Sequence, residues 1–340
     1  MLSGVRARSE KNVGRKKCVG RRATTLWLKA KITYLQSKKY GAPKGCAVFF
    51  WLTNLSIVVI IIKNTLKVTM KACIIQPPYS MDYTQIDKCF TEELRLLDVC
   101  DDSVDIIVLP EYSDVLTAMP TDEAFISAME KYGPIIDKKV KETAKRCNAI
   151  VFANYGYKTE KGYRNTTHII DRTGVEVGKY FKEHPAPSEI KNKGIDTDYA
   201  EADQEVYTIE LEGLRFGFRT CYDFYFYEDI VKMARENLDV IIGCSYQRTD
   251  THQALEVMNR FLAYNTNAYL LRASISLGED SEVCGCSMAV APDGSMLANM
   301  KNKVGIEIVE FEPSKKYYKV SGFNGTLKSH YEYVDEGRKK

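Results

Sequence analysis

Histidine, tryptophan and paired cysteine are what this 340-residue chain has least of. It holds four His and two Trp, and its ten Cys are scattered, with no CxxC and only Cys284-Gly-Cys286 close together. That spacing suggests neither a zinc site nor a disulfide framework, and it fits a reducing, cytoplasmic setting. The chain also lacks HExxH, GxGxxG, a Walker loop and any repeat of fixed period. The usual metalloprotease, dinucleotide and P-loop signatures are therefore missing.

Acids are missing from one end. Residues 1–69 carry 15 Lys/Arg and a single acid, Glu10, whereas the other 271 residues carry 33 basic and 44 acidic side chains. The formal charge of +3 thus hides a basic arm of +14 and an acidic remainder of −11, and the remainder is a poor candidate for nucleic-acid binding. Residues 1–44 show little periodicity and read as a disordered arm. Cys46 to Ile62 is an uncharged run of 17 residues interrupted by Asn54, at the lower limit for crossing a bilayer. A span there would export the acidic remainder; an Arg-rich, acid-poor start also suits an organelle transit segment. We favour a third reading, in which Met70 is the functional start. The orderly strand-helix-strand pattern begins there and nothing before it joins in.

What is present is a 45% apolar content, enough for one large core or two smaller ones. From Met70 the chain alternates strands and helices. Ala72 to Gln76 is a short strand, Thr84 to Val99 an amphipathic helix, and Val104 to Leu109 a near-continuous apolar run suited to a strand covered on both faces. Asp122 to Cys147 is helical in pattern with a break expected at Gly133-Pro134, and Ala149 to Tyr157 is a strand. Tyr163–Ile170 and Val175–Phe181 read as an antiparallel ribbon. Glu183 to Asp203 is Pro- and charge-rich, a loop without periodicity. Val206–Leu211 pairs with Leu214–Thr220, whose Leu214, Phe216 and Phe218 alternate with Arg215, Gly217 and Arg219 as in a strand with one buried face. A helix comes next over Glu228–Glu236, then a strand at Asp239–Gly243, a helix at His252–Thr266 and a strand at Ala268–Ser276. Ser287–Ala291 and Val304–Phe311 read as a second ribbon, and residues 313–340 as an arm packing on a partner.

Three side chains stand where apolar strands stop. Glu111 follows Pro110 at the end of one strand, Lys182 closes the first ribbon, and Cys221 ends Leu214–Thr220. The ends of strands in α/β sheets are where such folds place site residues. A thiol at a strand-to-helix junction faces backbone N–H groups, which favours thiolate. Each residue alone also has an ordinary reading: a solvated loop acid, a solvated lysine, a small buried hydrophobe.

Together they are specific. LPEY at 109–112, GKYFKEH at 178–184 and GFRTCYDF at 217–224 resemble, in order, the three catalytic signatures of the nitrilase superfamily of carbon-nitrogen hydrolases, and the similarity runs from about Met70 to about Phe311. The resemblance implies a four-layer αββα sandwich over residues 70–312. It also implies a catalytic trio, with Glu111 as general base, Lys182 supporting the charged intermediate and Cys221 as nucleophile. At lower weight, Glu189 matches a second glutamate of many members, and the Tyr222 N–H is an oxyanion donor. It implies no metal or organic cofactor, a small-molecule amide or ureido substrate, and a homo-oligomer, dimer or higher. Family nitrilases tend to carry Trp-Glu after the cysteine, whereas Tyr222-Asp223 is similar to the amidase and carbamoylase branches, so amide or N-carbamoyl hydrolysis is expected ahead of nitrile hydrolysis. The family's RAxEN pattern is degraded to AYNTN at 263–267, keeping Asn267 but replacing its acid by Thr266. The rivals are a Cys-His hydrolase using His184 or His252, a non-catalytic binding or assembly member, and a membrane-attached acyltransferase. Acids and tyrosines in loops 113–121, 183–203 and 245–252 hint at a cationic or polar substrate.

Overall fold

The computed structural model describes residues 46–53, 56–63, 69–192, 194–197, 207–320 and 326–327. The chain divides into two units, Met1–Lys67 and Val68–Lys340. In the first, β1 (Cys46–Thr53) and β2 (Ser56–Lys63) pair antiparallel, with Cys46 opposite Lys63 and Thr53 opposite Ser56. The apolar run weighed as a membrane span is therefore two paired strands. Its density of Val and Ile, stiff at χ1 and suited to a pleated surface, favours that outcome. Among the described residues no helix is long and apolar enough to cross a membrane. The basic arm of residues 1–44 lies outside the described residues.

The second unit carries β3 (Met70–Gln76), β4 (Ile106–Val108), β5 (Ile150–Thr159), β6 (Gly162–Ile170) and β7 (Glu176–Phe181). After these come β8 (Thr208–Leu211), β9 (Leu214–Thr220), β10 (Val240–Cys244), β11 (Tyr269–Ala273), β12 (Met288–Val290), β13 (Met296–Asn299) and β14 (Gly305–Phe311). One sheet has the order β14-β3-β4-β5-β6-β7 and the other β13-β12-β11-β10-β9-β8. In each sheet the central strands run parallel, β3-β4-β5 in one and β9-β10-β11 in the other, and the flanking pairs are antiparallel.

Alternation along the strands builds three apolar layers. Ile74, Ile106, Val108 and Phe152 from the first sheet meet Phe216, Phe218, Ile242 and Leu271 from the second. Phe152 lies 5.1 Å from Phe216 and 5.8 Å from Phe218, bridging the sheets. Truncating such a ring to alanine costs about 3 to 5 kcal/mol. The opposite face of the first sheet, with Cys73, Ile107 and Val151, is covered by helices Ile86–Val99 and Asp122–Cys147. Helices Tyr227–Met233 and His252–Thr266 cover the opposite face of the second through Ile241, Leu270 and Met288. The result is the four-layer αββα sandwich expected.

Three local expectations are corrected. Asp122–Cys147 is one continuous helix with Pro134 inside it. A proline there costs about 3 kcal/mol. The buried stripe Met129, Tyr132, Ile136, Val140 continues straight through that position, so tertiary burial overrides the local penalty. The second face of β9 is also covered. Arg219 is buried, and a Cβ added to Gly217 would meet Leu238 Cδ1 at 2.5 Å and Met233 Cε at 2.9 Å, so these two side chains pack against the strand where Gly217 has none. The expected second ribbon is split, since β12 pairs with the four-residue β13 while β14 crosses to the other sheet and pairs with β3. Apart from these corrections, the start of the C-terminal arm packs on its own domain. Tyr317 N and O both bond the Asn267 side chain at 2.8 Å, and Lys316 lies 3.2 Å from Asp239. Asn267, kept from the degraded RAxEN pattern, thus caps its helix in the left-handed conformation (φ +53°) and fastens the arm.

Candidate active site

Two of the three strand-end residues are aimed by left-handed backbone at or beside them, and the third by strand pairing. After β4 the chain turns at Pro110-Glu111-Tyr112, and Tyr112 takes a left-handed φ of +51°. Asn154 of β5 holds the turn, accepting from Tyr112 N at its side chain (2.9 Å) and from Ser113 N at its carbonyl (2.8 Å). Lys182 comes directly after β7, and its N–H bonds the Asn165 carbonyl of β6 at 3.0 Å. Cys221 succeeds β9, also at positive φ (+49°), and opens a 3-10 turn over Cys221–Tyr225. A non-glycine residue in that region stores on the order of 1 to 3 kcal/mol of strain. Asp223 sustains it, accepting from Thr220 N (2.9 Å), Tyr180 OH (2.8 Å) and His184 N (2.7 Å), and so ties the cysteine turn to the lysine segment.

The structure brings Glu111, Lys182, Glu189 and Cys221 to one cleft. Lys182 Nζ donates to Glu111 Oε1 at 2.9 Å and to Glu189 Oε2 at 2.6 Å, all three side chains being buried. Glu189 lies on a short helix, Pro187–Asn192, inside the segment expected to lack structure. Its other contacts are Tyr112 OH (2.6 Å), Asn165 Nδ2 (2.8 Å) and Ala186 N (2.6 Å). Glu189 is thus a hub that fixes the lysine. Residues 193 and 198–203 of the same segment lie outside the described residues.

Asn165 was not singled out from the sequence. Its Nδ2 donates to both carboxylates, Glu111 Oε1 (2.7 Å) and Glu189 Oε1 (2.8 Å), while its Oδ1 accepts from Asn154 Nδ2 (2.8 Å). The signal was an Asn-Thr-Thr run on a ribbon strand whose neighbours all stay in the core. Asn165 commits Glu111 Oε1, together with Lys182. Glu111 Oε2 is buried without a hydrogen-bond partner of its own, and the Cys221 thiol feels that carboxylate directly.

The electrostatics divide the labour. Burial would lower the Lys182 pKa, but Glu111 and Glu189 outweigh it and hold the ammonium well above the usual lysine range. Cys221 moves the other way. Burial, then the Glu111 carboxylate, push its thiol well above the ordinary value, with Lys182 opposing. The expectation of a helix-stabilised thiolate is corrected, because Cys221 opens a 3-10 turn and the α-helix Tyr227–Met233 starts only six residues later. The resting group is a thiol beside an open carboxylate oxygen.

A cleft of about 440 Å³ opens on these groups, lined also by Tyr222, Tyr225, Tyr246, Gln247, Arg248 and Thr249. Tyr222 stands at its wall, packed edge-on against Tyr225 and Phe226. As the second residue of the 3-10 turn its N–H has no acceptor within the turn. His184 stacks on Phe226 at 4.0 Å and bonds Asp223, and His252 bonds Asn302, so neither rival histidine sits with the thiol. Among the described residues, Glu183, His184 and Asp229 bring ligand atoms within 4.8 Å of one another, close enough for a metal. Arg219 already pairs with Glu183 and lies 3.7 Å from Asp229, so this cluster's positive charge is supplied by the protein.

Two six-stranded sheets, each backed by helices, with Glu, Lys and Cys converging from three strand ends, define a hydrolase fold of the αββα type. Residues 74–315 match the carbon-nitrogen hydrolase family, and the chain belongs to it. A Pseudomonas protegens protein described as a hydrolase in the pqqF 5′ region is 24% identical over 208 residues, 57% of this chain and 67% of that protein. Among solved structures, the C. elegans NitFhit protein superposes with a TM-score of 0.59 at 20% identity, over 72% of this chain and 61% of that one. A Nesterenkonia amidase of the nitrilase superfamily gives 0.57 at 14% identity, covering 72% and 90%. A carbon-nitrogen hydrolase from Helicobacter pylori G27 gives 0.57 at 19% identity, covering 72% and 89%.

Proposed function

We propose that the protein is a cofactor-independent hydrolase that cleaves a non-peptide C–N bond, an amide or an N-carbamoyl group, through a cysteine thioester. The observation that carries this reading is the division of Glu111. One oxygen is committed to Lys182 and Asn165, and the other is buried, open and beside a thiol of raised pKa.

Each step rests on that arrangement. Glu111 Oε2 takes the Cys221 proton as Sγ attacks the substrate carbon, which avoids the free thiolate that the pocket disfavours. The oxyanion that forms meets the Lys182 ammonium and the Tyr222 N–H, an effect on the order of 3 kcal/mol per donor. Glu111 then passes its proton to the departing nitrogen, the C–N bond breaks, and ammonia or an amine leaves a thioester behind. Water gives a proton to Glu111 as its oxygen adds to the thioester; collapse releases the acid, and the proton returns to sulfur. Glu189 holds Lys182 and has no proton to move in this scheme.

Tyr222-Asp223 after the nucleophile supports amides ahead of nitriles, and the intact trio supports catalysis ahead of a purely binding role. A homo-oligomer and a cytoplasmic setting belong to the same proposal. Val257 and Phe261 are exposed on one face of the helix His252–Thr266, with Tyr264 one turn on, which supports pairing through that helix.

Ammonia release from a panel of ω-amides, carbamoyl-amines, aliphatic amides and nitriles tests the reading. Turnover of amide or carbamoyl compounds that vanishes in Cys221→Ala supports it. Turnover of nitriles alone, or turnover that survives in Cys221→Ala, overturns it.

A further inference from the structure

Beyond the trio and Glu189, the cleft is lined by one more charged side chain, Arg248, on the loop between β10 and the helix His252–Thr266. Loop composition suggests a cationic or polar substrate, yet the loop's acid, Asp250, is occupied with Tyr225 OH and Gln247 Nε2. It is the arginine that reaches the cleft.

Its surroundings hold it as a preset fork. The guanidinium lies 5.4 Å from the Tyr79 ring centroid and 5.5 Å from that of Tyr246, and Nη1 donates to Tyr79 OH at 2.9 Å. The two rings pack edge to face at 4.9 Å, and Tyr246 OH is fixed on the Val115 carbonyl. Below the loop, buried Arg272 bonds Ser245 Oγ (2.7 Å) and Gln247 Oε1 (3.2 Å) from one side and the carbonyls of Gly285 and Cys286 from the other. Such support leaves little conformational freedom to lose on binding.

Among the described residues no carboxylate lies within ion-pair distance of Arg248, whereas Arg164, Arg172, Arg215 and Arg219 each pair with an acid. A second cavity of about 500 Å³ adjoins the cleft, sharing Ser188, Tyr246 and Arg248 and bounded by Asp122 and Glu123. Those two acids open the helix Asp122–Cys147, where the N-terminal N–H groups favour them, and they repel an anion from that side. An anion on Arg248 is therefore favoured on the Cys221 side, in the same cleft as the reacting carbon.

We propose that Arg248 is a specificity residue that takes a carboxylate of the substrate, so that the hydrolysed compound is a short amide or ureido compound bearing a free carboxylate. This rests on the hydrolase reading. With Cζ near two rings and one N–H of Nη1 on Tyr79 OH, the guanidinium keeps further N–H donors in a fixed fork, and a carboxylate accepts two parallel bonds from such a fork.

The test separates the two readings. In the full chain carrying Cys221→Ala, titration calorimetry compares succinamate with butyramide, glutaramate with valeramide, and N-carbamoyl-β-alanine with propylurea. At least one carboxylate member binds about tenfold or more tightly than its neutral counterpart, a gap of about 1.4 kcal/mol that shrinks with added salt. Arg248→Gln brings that member down to its counterpart, and Arg248→Lys, which keeps the charge without the fork, recovers part of the gap. Equal binding in all three pairs overturns the proposal, as does a preference that persists in Arg248→Gln. Ammonia release by the protein with Cys221 intact is read separately. Turnover without carboxylate preference strikes Arg248 alone, and carboxylate preference without turnover strikes the hydrolase reading alone.

Discussion

Two pairs of buried acids, with Glu111 of one only three residues from Asp114 of the other, have opposite fates. Glu111 and Glu189 share Lys182 between them and accept hydrogen bonds from Asn165. Glu93 and Asp114 are equally buried, but no cation pairs with them among the described residues. Both Glu93 oxygens and Asp114 Oδ1 have no hydrogen-bond partner, and Asp114 Oδ2 accepts only from Gly156 N at 2.9 Å. Burial pushes the Asp114 carboxyl up to about 7 and that of Glu93 well above its usual range. Depth alone therefore does not decide ionisation. A lysine and a forked amide hold one pair in ion pairs and hydrogen bonds, while burial without a cation pushes the other pair toward the neutral acid.

Removing the lysine should turn the first pair into the second. Lys182→Met leaves two buried carboxylates facing each other, and breaking a buried ion pair this way costs about 3 to 5 kcal/mol near pH 8. Urea unfolding at pH 8 reads this, alongside a loss of ammonia release of about a hundredfold to a thousandfold or more. Full activity in Lys182→Met would remove the lysine from the mechanism.

The neutral pair gives a pH signature of its own. An unfolded Asp ionises near pH 4, whereas folded Asp114 keeps its proton to about pH 7, so the unfolded state gains charge first. The stability associated with this raised pKa is therefore present below about pH 4, is lost as pH rises toward 7, and then levels off. The swing is on the order of 4 kcal/mol. Asp114→Asn keeps an oxygen for Gly156 N and removes the titration, so its stability relative to the parent should rise between pH 4.5 and 7 in urea unfolding. Parallel curves for the two proteins would show that Asp114 ionises normally.

Much of this contrast is legible in the sequence, and part is not. Glu111, Lys182 and Cys221 each end an apolar strand, so a one-dimensional pattern marks them. Glu189 and Asn165 act through contacts across 77 and 54 residues, to Tyr112 and Glu111, which no local period encodes. The same holds for β14, whose strand character is readable but whose partner, β3, lies more than 200 residues earlier. The continuous helix through Pro134 escapes a sequence reading because a local breaker rule competes with a buried stripe that only packing reveals.

The state of the thiol sharpens the comparison at smaller scale. The Glu111 charge helps to keep Cys221 protonated, so Glu111→Gln should make the thiolate easier to form while abolishing turnover. Alkylation of Cys221 by iodoacetamide at pH 8 should accelerate, and peptide mapping assigns the site. Slower alkylation in Glu111→Gln would mean that the carboxylate activates the resting thiol rather than restraining it.

The smallest effect comes from an ion pair that lacks the one ingredient both acid clusters share. Lys138 and Glu142 pair at 3.8 Å on the helix Asp122–Cys147, with side chains 77% and 62% exposed. Water screens their attraction, and holding two long side chains in one geometry opposes it, so an exposed i,i+4 pair is worth about 0.3 to 0.5 kcal/mol. Glu142→Gln should accordingly shift the unfolding free energy by no more than about 0.5 kcal/mol at low salt and less in 1 M NaCl. A shift as large as that of Lys182→Met would break the argument, because it would mean that charge pairing stabilises this protein irrespective of burial. The small shift expected leaves desolvation as the reason why one lysine under the sheets governs two carboxylates while another on the surface governs almost nothing.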